Sequence, residues 1–371
     1  MRGARVRCLV TAMVAALSVL LSGMPAHAES STDPIQPAQQ VIFNNPWGRT
    51  AAQRRIADEY IRLIGTAAAG THVRIGFYSL SDEKLTEAII AAKKRGVRIQ
   101  VIVNRHAWST KQVKRLRTSL GTNRAKAAWV IKRPKNWTHS KFVAVESGQI
   151  VAISSQNGTK SGIWQQQNDA VITYGDAILH DAVVRQFDLM GRGTTSRTKL
   201  GTQAVSGPTT LRFYPAPSDA GHAILGLLND VTCQVSGVRT KVWGIMWIWT
   251  AAGKSVAKRL AGLAREGCDV RMIVSPLQTR KSIQKILLKG GVATKVPKGA
   301  KWPHSKYFVV DGHDAKGEPL RAVFAGSLNL TGTALERNDE IALTSVSPKV
   351  VTSYQAKHAQ LWKSRTKKLR K

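Results

Sequence analysis

The sequence predicts an α/β protein made of two similar halves, each a mostly parallel or mixed sheet flanked by helices, packed about an internal two-fold. Two observations predict it. Strand-like and helix-like segments alternate with short Gly-containing connections, as in layered α/β folds. The same order of segments then runs twice along the chain. Residues 73–80 (VRIGFYSL) read as a buried strand. A helix follows, N-capped by Ser81 or Asp82, with Leu85, Ile89 and Ile90 on its apolar side. Gly96 ends it, and residues 97–103 resume as strand. The second half repeats this plan. Residues 242–249 are strand, about 252–266 helix, Gly267 the stop and 270–274 strand. Trp243, Trp247 and Trp249 are assigned to the core of that second strand. Each half also opens alike, with Ile42-Phe-Asn-Asn-Pro46 and Leu211-Arg-Phe-Tyr-Pro215. The Gly-, Thr- and Ser-rich stretch 191–208 reads as a linker between halves at 41–190 and 209–362.

The chemistry sits in a second repeat. Trp137-Thr-His-Ser-Lys141 returns as Trp302-Pro-His-Ser-Lys306, each at the start of an apolar strand. Residues two apart on a strand share a face, so His139 lies beside Lys141 and His304 beside Lys306. A polar cluster follows each strand: Ser154-Ser155-Gln156-Asn157 and Gly326-Ser327-Leu328-Asn329. Two imidazoles, two ammonium groups and two amide and hydroxyl sets suit one phosphate-handling site across the two-fold. A phosphodiester resists attack because it is anionic, so it must be neutralised, positioned and given a proton for its leaving oxygen. Lys and Asn can hold its oxygens. A neutral His can attack phosphorus, and a protonated one can serve the leaving group. Trp137 and Trp302 either line the mouth or pack between the halves. His106, His180 and His222 stand outside any motif and read as structural.

The 371 residues carry a formal charge of +34, which draws the chain to polyanions without choosing between nucleic acid and lipid headgroups. The densest basic run is 111–135, with nine Lys or Arg and no acid. A second forms the tail, 363–371, which reads either as a solubilising, disordered end or as a contact for polyanions. Residues 1–28 read as a secretory signal, with Arg2, Arg5 and Arg7, an apolar run and Ala26-His27-Ala28 before the cut. The apolar run is short for a membrane span. A secreted chain is therefore expected. Of the three cysteines, Cys233 and Cys268 lie beyond the signal, and in an oxidising compartment the pair suggests a disulfide. No His-x-Asp, carboxylate cluster or Cys/His spacing suggests a metal, and no cofactor is expected.

His-x-Lys-x4-Asp followed by Gly-Ser/Gly-x-Asn, present twice, resembles the phospholipase D superfamily over essentially the whole chain after the signal. The second copy is close: His304, Lys306, Asp311, Gly326, Ser327 and Asn329, with an insertion from His313 to about Leu320. The first keeps His139, Lys141, Ser155 and Asn157 but has Glu146 for the Asp and Ser154 for the Gly. The resemblance implies two phospholipase D-like halves in one monomeric chain and a metal-free reaction through a phosphohistidine. It implies His139 as nucleophile and His304 as acid and base. Asp169 and Glu340, which follow the two Asn positions, resemble the family's histidine-orienting carboxylates. Asp311 and Glu146 either belong to the motif chemistry or brace their turns. Three functions follow from different classes: a secreted phospholipase D meeting an anionic membrane surface, a secreted nuclease, and an inactive polyanion-binding protein. The first is favoured, because two fused motifs are common among the family's lipid enzymes.

Overall fold

The computed structural model describes residues 38–195, 203–215 and 223–369. The segment read as a secretory signal lies outside them, as does His222. The first half runs β1 (Ala38–Phe43), α1 (Thr50–Gly65), β2 (His72–Phe77), α2 (Glu83–Lys94), β3 (Arg98–Val103), α3 (Lys111–Leu120), β4 (Trp129–Lys132), β5 (Lys141–Val145), β6 (Ile150–Ser154), α4 (Lys160–Trp164), β7 (Gln166–Gln167), β8 (Asp169–Tyr174) and α5 (Ala177–Arg192). The second opens with β9 (Gln203–Ser206), β10 (Thr209–Tyr214), α6 (Ala223–Asn229) and three short strands, β11 (Val231–Thr232), β12 (Gln234–Val235) and β13 (Val238–Arg239). It continues with β14 (Lys241–Met246), α7 (Lys254–Arg265), β15 (Asp269–Val274), α8 (Lys281–Lys289), β16 (Ala293–Pro297), β17 (Trp302–Pro303) and β18 (Tyr307–Asp314). It ends with β19 (Pro319–Gly326), α9 (Gly332–Glu336), β20 (Glu340–Ser345), α10 (Pro348–Ser364) and β21 (Thr366–Lys368).

The two main sheets share one plan. The first is ordered β1-β8-β6-β5-β2-β3-β4, and the second contains β10-β20-β19-β18-β14-β15-β16 with β9 and β21 added at its edges. In each, three strands are parallel (β2-β3-β4 and β14-β15-β16) and the rest antiparallel. The mixed sheet and the internal repeat expected from the sequence are present. Alternation along the strands builds the layers. In β5, Val143 and Val145 join the outer core of the first half, with Ile56 and Leu63 of α1 and Leu85 and Ile89 of α2. Phe142 and Ala144 face a central apolar layer that also holds Phe187 of α5, Tyr354 of α10 and Tyr307 and Val309 of β18. Gly76 is needed there, because a Cβ on it would sit 2.5 Å from the Phe142 ring. Helices α6 to α8 cover the outer face of the second sheet.

Local signals act as expected at several ends. Asp82 accepts from Leu85 N at 2.9 Å and caps α2, and Gly96 takes φ +88° after it. The insertion after Asp311 is an extended hairpin, carrying β18 to Asp314 and starting β19 at Pro319. Cys233 and Cys268 are joined by a disulfide, and closing that loop contributes about 3–4 kcal/mol on the chain-entropy estimate. Two expectations need amending. The stretch read as a linker begins inside α5 and ends in the β9–β10 hairpin, with residues 196–202 outside the described ones. The basic tail is not free over its first residues: Lys363 and Ser364 finish α10, and β21 pairs antiparallel with β16. The edge of β16 supplies unpaired backbone groups, and main-chain bonding there outweighs the charge of the tail.

The halves are tied by a buried ion pair. Arg133, after β4, meets Asp339, before β20, and both side chains are fully buried. Thr195 donates to Asp339 Oδ1 at 2.6 Å and closes the cluster. Removing one partner of such a pair strands a buried charge, at a cost of about 3–5 kcal/mol. Asp339→Ala should therefore lower the unfolding free energy by about that amount in denaturant titration. Arg133→Met combined with Asp339→Leu should recover most of the loss. An unchanged midpoint in the single variant contradicts this account.

Candidate active site

Each histidine reaches the centre by pairing with the other half. His139 N donates to Asp339 O at 2.8 Å, and Asp339 N donates to Trp137 O at 2.9 Å. At the mirrored place β17 pairs in parallel with β7, and His304 N donates to Gln167 O at 2.7 Å. The two motif loops are thus strapped crosswise, each to the segment that precedes the other half's β8 or β20.

The side chains converge accordingly. Lys141 and Lys306 are fully buried, and each ammonium donates to the carbonyl of its own motif histidine. Lys306 Nζ also lies 3.2 Å and 3.3 Å from the two ring nitrogens of His304. His139 Nδ1 is 2.9 Å from Glu340 Oε2, whose other partner is the Ser327 hydroxyl. Asn329 is buried, its Oδ1 accepting from Ile248 N at 3.2 Å. Asn157 Oδ1 is buried with no hydrogen-bond partner among the described residues. Ser155 donates to Asp169 Oδ1 at 2.9 Å and to Asn168 Oδ1 at 3.1 Å.

The partner of His304 differs from the one its alignment suggests. Asp169 aligns with Glu340, but its carboxylate accepts from Ser155 and from Tyr354 OH at 2.7 Å. The acceptor beside His304 Nδ1 is Asn168 Oδ1, at 2.9 Å. Aspartate is one methylene shorter than glutamate, and two hydroxyls already hold it. The orientation of Asn168 follows from its other bonds: Nδ2 donates to the carbonyls of Gly162 and Gln166 at 3.0 and 3.1 Å. Its oxygen therefore faces the ring, so His304 Nδ1 carries the hydrogen and Nε2 is left for chemistry.

Glu146 directly follows β5, and Asp311 lies within β18, five residues beyond Lys306. Glu146 accepts from His72 N at 2.6 Å and meets His72 Nδ1 at 2.8 Å. Asp311 accepts from Arg321 at 2.8 Å and from Gln355 at 2.7 Å. Both brace their hairpins rather than face the site. Ser154 fits where the second half needs Gly326. Gly326 takes φ +145°, and a Cβ there would lie 2.4 Å from Ile341 O. Ser154 instead ends β6 in its ladder and donates to Asp169 O.

An aromatic collar borders the site. Trp247, expected from the sequence to be core, is only partly buried and stacks 5.5 Å from Trp302, with His304 at 5.7 Å. It lies one residue past the end of β14, where the chain leaves the sheet for the site. The mirrored Tyr78 contacts His106 at 4.2 Å and His139 at 4.9 Å, and Lys141 Nζ lies 5.3 Å from its ring centre. Trp243 and Trp249 are core. His106, read as structural, thus borders the site, whereas His180 is buried on α5 beside Asp181. The site opens into a cavity of about 630 Å³ lined by Tyr78, Trp137, His139, Asn329, Arg337 and Glu340 among others.

Burial sets the electrostatics. It lowers His139, with Glu340 opposing and Lys141 adding to the shift. It lowers His304 further, helped by Lys306 and Lys141. Lys141 falls from an ordinary 10.5 to about 7 through burial, partly offset by Glu340, and Lys306 also falls well below its usual value. Burial therefore disfavours positive charge in the site, and a bound anion favours it.

Two predictions follow from these shifts. Between about pH 7 and 10.5 the folded chain binds fewer protons at Lys141 than the unfolded chain. Its contribution to stability thus rises with pH across that window, and the penalty is fully present below it. At pH 7, Lys141→Met should raise the Tm of ligand-free protein by about 2 °C or more and weaken the stabilisation that tungstate or phosphate gives. A lower Tm with an undiminished anion shift contradicts this. Asn168→Asp places a charge beside His304 and should raise its pKa. The basic limb of kcat/KM on an unactivated phosphodiester should move up with it, and an unmoved profile contradicts the assignment.

Comparison with known proteins agrees with this arrangement. The family model described as "Cardiolipin synthase, PLD-like domain" matches residues 60–190 and again 233–362. A mitochondrial cardiolipin hydrolase from Xenopus laevis is 26% identical over 164 residues, 40% of this chain and 74% of that protein. Among solved structures, phosphatidylserine synthase from Haemophilus influenzae superposes with TM-score 0.63 at 14% identity, covering 89% of this chain and 87% of the other. Polyphosphate kinase from Porphyromonas gingivalis gives 0.62 at 15%, and this chain spans about half of its length, 48%. These two likenesses show the fold. With both halves matched and a motif histidine and lysine meeting from each, the chain belongs to the phospholipase D superfamily of phosphodiesterases.

Proposed function

We propose that the chain is a secreted phospholipase D that hydrolyses the headgroup phosphodiester of glycerophospholipids through a phosphohistidine at His139. The observation that carries this reading is the unequal support of the two histidines. His139 has a carboxylate at Nδ1, which stabilises the positive ring formed when Nε2 is phosphorylated. His304 has a neutral amide there, which leaves its imidazolium a stronger acid. In the first step His139 Nε2 attacks phosphorus, the bond to the headgroup oxygen breaks, and that oxygen takes the proton of His304 Nε2. In the second, neutral His304 takes a proton from water, the oxygen attacks phosphorus, and the P–N bond breaks to release the phosphatidic acid. Lys141, Lys306 and the Asn157 and Asn329 amides hold the non-bridging oxygens.

The lipid part of the reading rests on the mouth of the site. Trp137 is 55% exposed on the cavity wall, and Leu277 is 91% exposed. The Leu277 loop is bonded to Trp249, between the cavity-lining Ile248 and Thr250 (Trp249 N to Gln278 O, Arg280 N to Trp249 O). Apolar side chains among cations suit an anionic lipid–water interface. Secretion is supported by the signal-like start and the disulfide. A nuclease is the second reading, favoured by a basic groove of Lys94, Lys111, Lys114 and Arg115 between α2 and α3. No helix among the described residues is long and apolar enough to cross a membrane.

Purified protein in excess EDTA should hydrolyse phosphatidyl lipids in micelles faster than it nicks plasmid DNA or RNA. Activity lost in EDTA and restored by a divalent cation contradicts the mechanism, and nucleic acid alone as substrate selects the second reading. His139→Ala and His304→Ala should each leave at most about 0.1% of the rate, in line with losses on removing a nucleophile or its proton donor. With a p-nitrophenyl phosphodiester, His304→Ala should release a burst of nitrophenol and retain an alkali-stable label on the peptide holding His139. A label on His304 in His139→Ala protein reverses the two roles.

A further inference from the structure

The two-fold symmetry of the site breaks at its rim. On the open side Lys135 and Arg337 line the cavity, both exposed, and neither has an ion pair among the described residues. The acid nearest to hand in the cavity, Glu340, is committed to His139 and Ser327. At the mirrored places stand Ala300, two residues before Trp302 as Lys135 is before Trp137, and Gln165, which ends α4 as Arg337 ends α9. Beside His304 stands the half-buried Trp247–Trp302 stack.

Lys135 also holds a left-handed backbone, φ +61°, which a side chain other than Gly, Asn or Asp adopts at a cost of about 1–2 kcal/mol. A glycine would relieve the strain, but would remove the cation. The cavity, about 630 Å³, falls in the range that encloses whole small molecules rather than one phosphate. We propose that its outer part is a subsite for a second phosphate of the substrate, held by Lys135 and Arg337 while the scissile diester lies against His139 and the buried lysines. The proposal rests on the phosphodiesterase reading and sharpens it. The preferred substrate carries two phosphates close together, in a lipid headgroup or along a nucleotide.

Matched substrate pairs test this. One pair is phosphatidylglycerol and phosphatidylglycerol phosphate in mixed micelles; the other is a thymidine dinucleotide without and with a terminal phosphate. In at least one pair kcat/KM should be ~10-fold or more higher for the doubly phosphorylated member, the effect of about one charge-assisted contact. The responding pair identifies the source of the second phosphate. Lys135→Ala with Arg337→Gln, which installs the mirrored residues, should bring that ratio to about one, and Lys135→Arg with Arg337→Lys should largely keep it. Binding is read separately by the Tm shift with pyrophosphate against that with orthophosphate. Wild type should favour pyrophosphate, and the first double variant should lose the difference. No preference in wild type by either measure, or a preference intact in that variant, overturns the subsite. Absence of all turnover strikes the phosphodiesterase reading, while the pyrophosphate comparison still decides the subsite. If the double variant fails to fold, Arg337→Gln alone carries the same comparison.

Discussion

Everything at the centre depends on a backbone exchange. Each motif loop is bonded across to the other half: the chain before His139 bonds to the chain before Glu340, and the chain before His304 to that before Asp169. Main-chain bonds of this kind fix position without regard to side chain, so the histidines arrive in register even where the two copies differ. The buried Arg133–Asp339 pair lies on the same strap, since Asp339 supplies both the carboxylate and the carbonyl that receives His139 N. Domain docking and assembly of the site are therefore one event.

The site so formed holds cationic side chains in a space that water barely reaches. Burial opposes charge on all four motif residues, and the carboxylate of Glu340 answers for only part of it. A protein interior tolerates such a cluster when something else requires it. A bound anion converts mutual repulsion into attraction. Affinity for the substrate and the cost of burying these cations share one origin.

Much of this was legible in the sequence because it is written in spacing. His-x-Lys at a strand start, the strand–helix–Gly–strand order and the Asn-bearing turns are local patterns, and each corresponds to a described element. Asn168 was not legible, because alignment favours the carboxylate next to it and only reach and competing hydroxyls decide between them. The Arg133–Asp339 pair joins residues far apart in the chain and carries no periodic signal. Trp247 looked like core because the apolar run of β14 continues through it, and nothing local marks where the sheet ends. The tail was read from its charge, whereas the edge of β16 that binds it is visible only in three dimensions.

Placing both halves on one polypeptide has a consequence for how such a site can change. In an assembly of identical subunits any replacement falls on both copies at once, so a residue that suits one histidine is imposed on its twin. Here the mirrored places already hold different residues: Asn168 against Asp339, Ala300 against Lys135 and Gln165 against Arg337. Duplication thereby frees the reaction from symmetry: one arm can specialise in holding and the other in proton transfer, and the two flanks of the cleft can carry different charge.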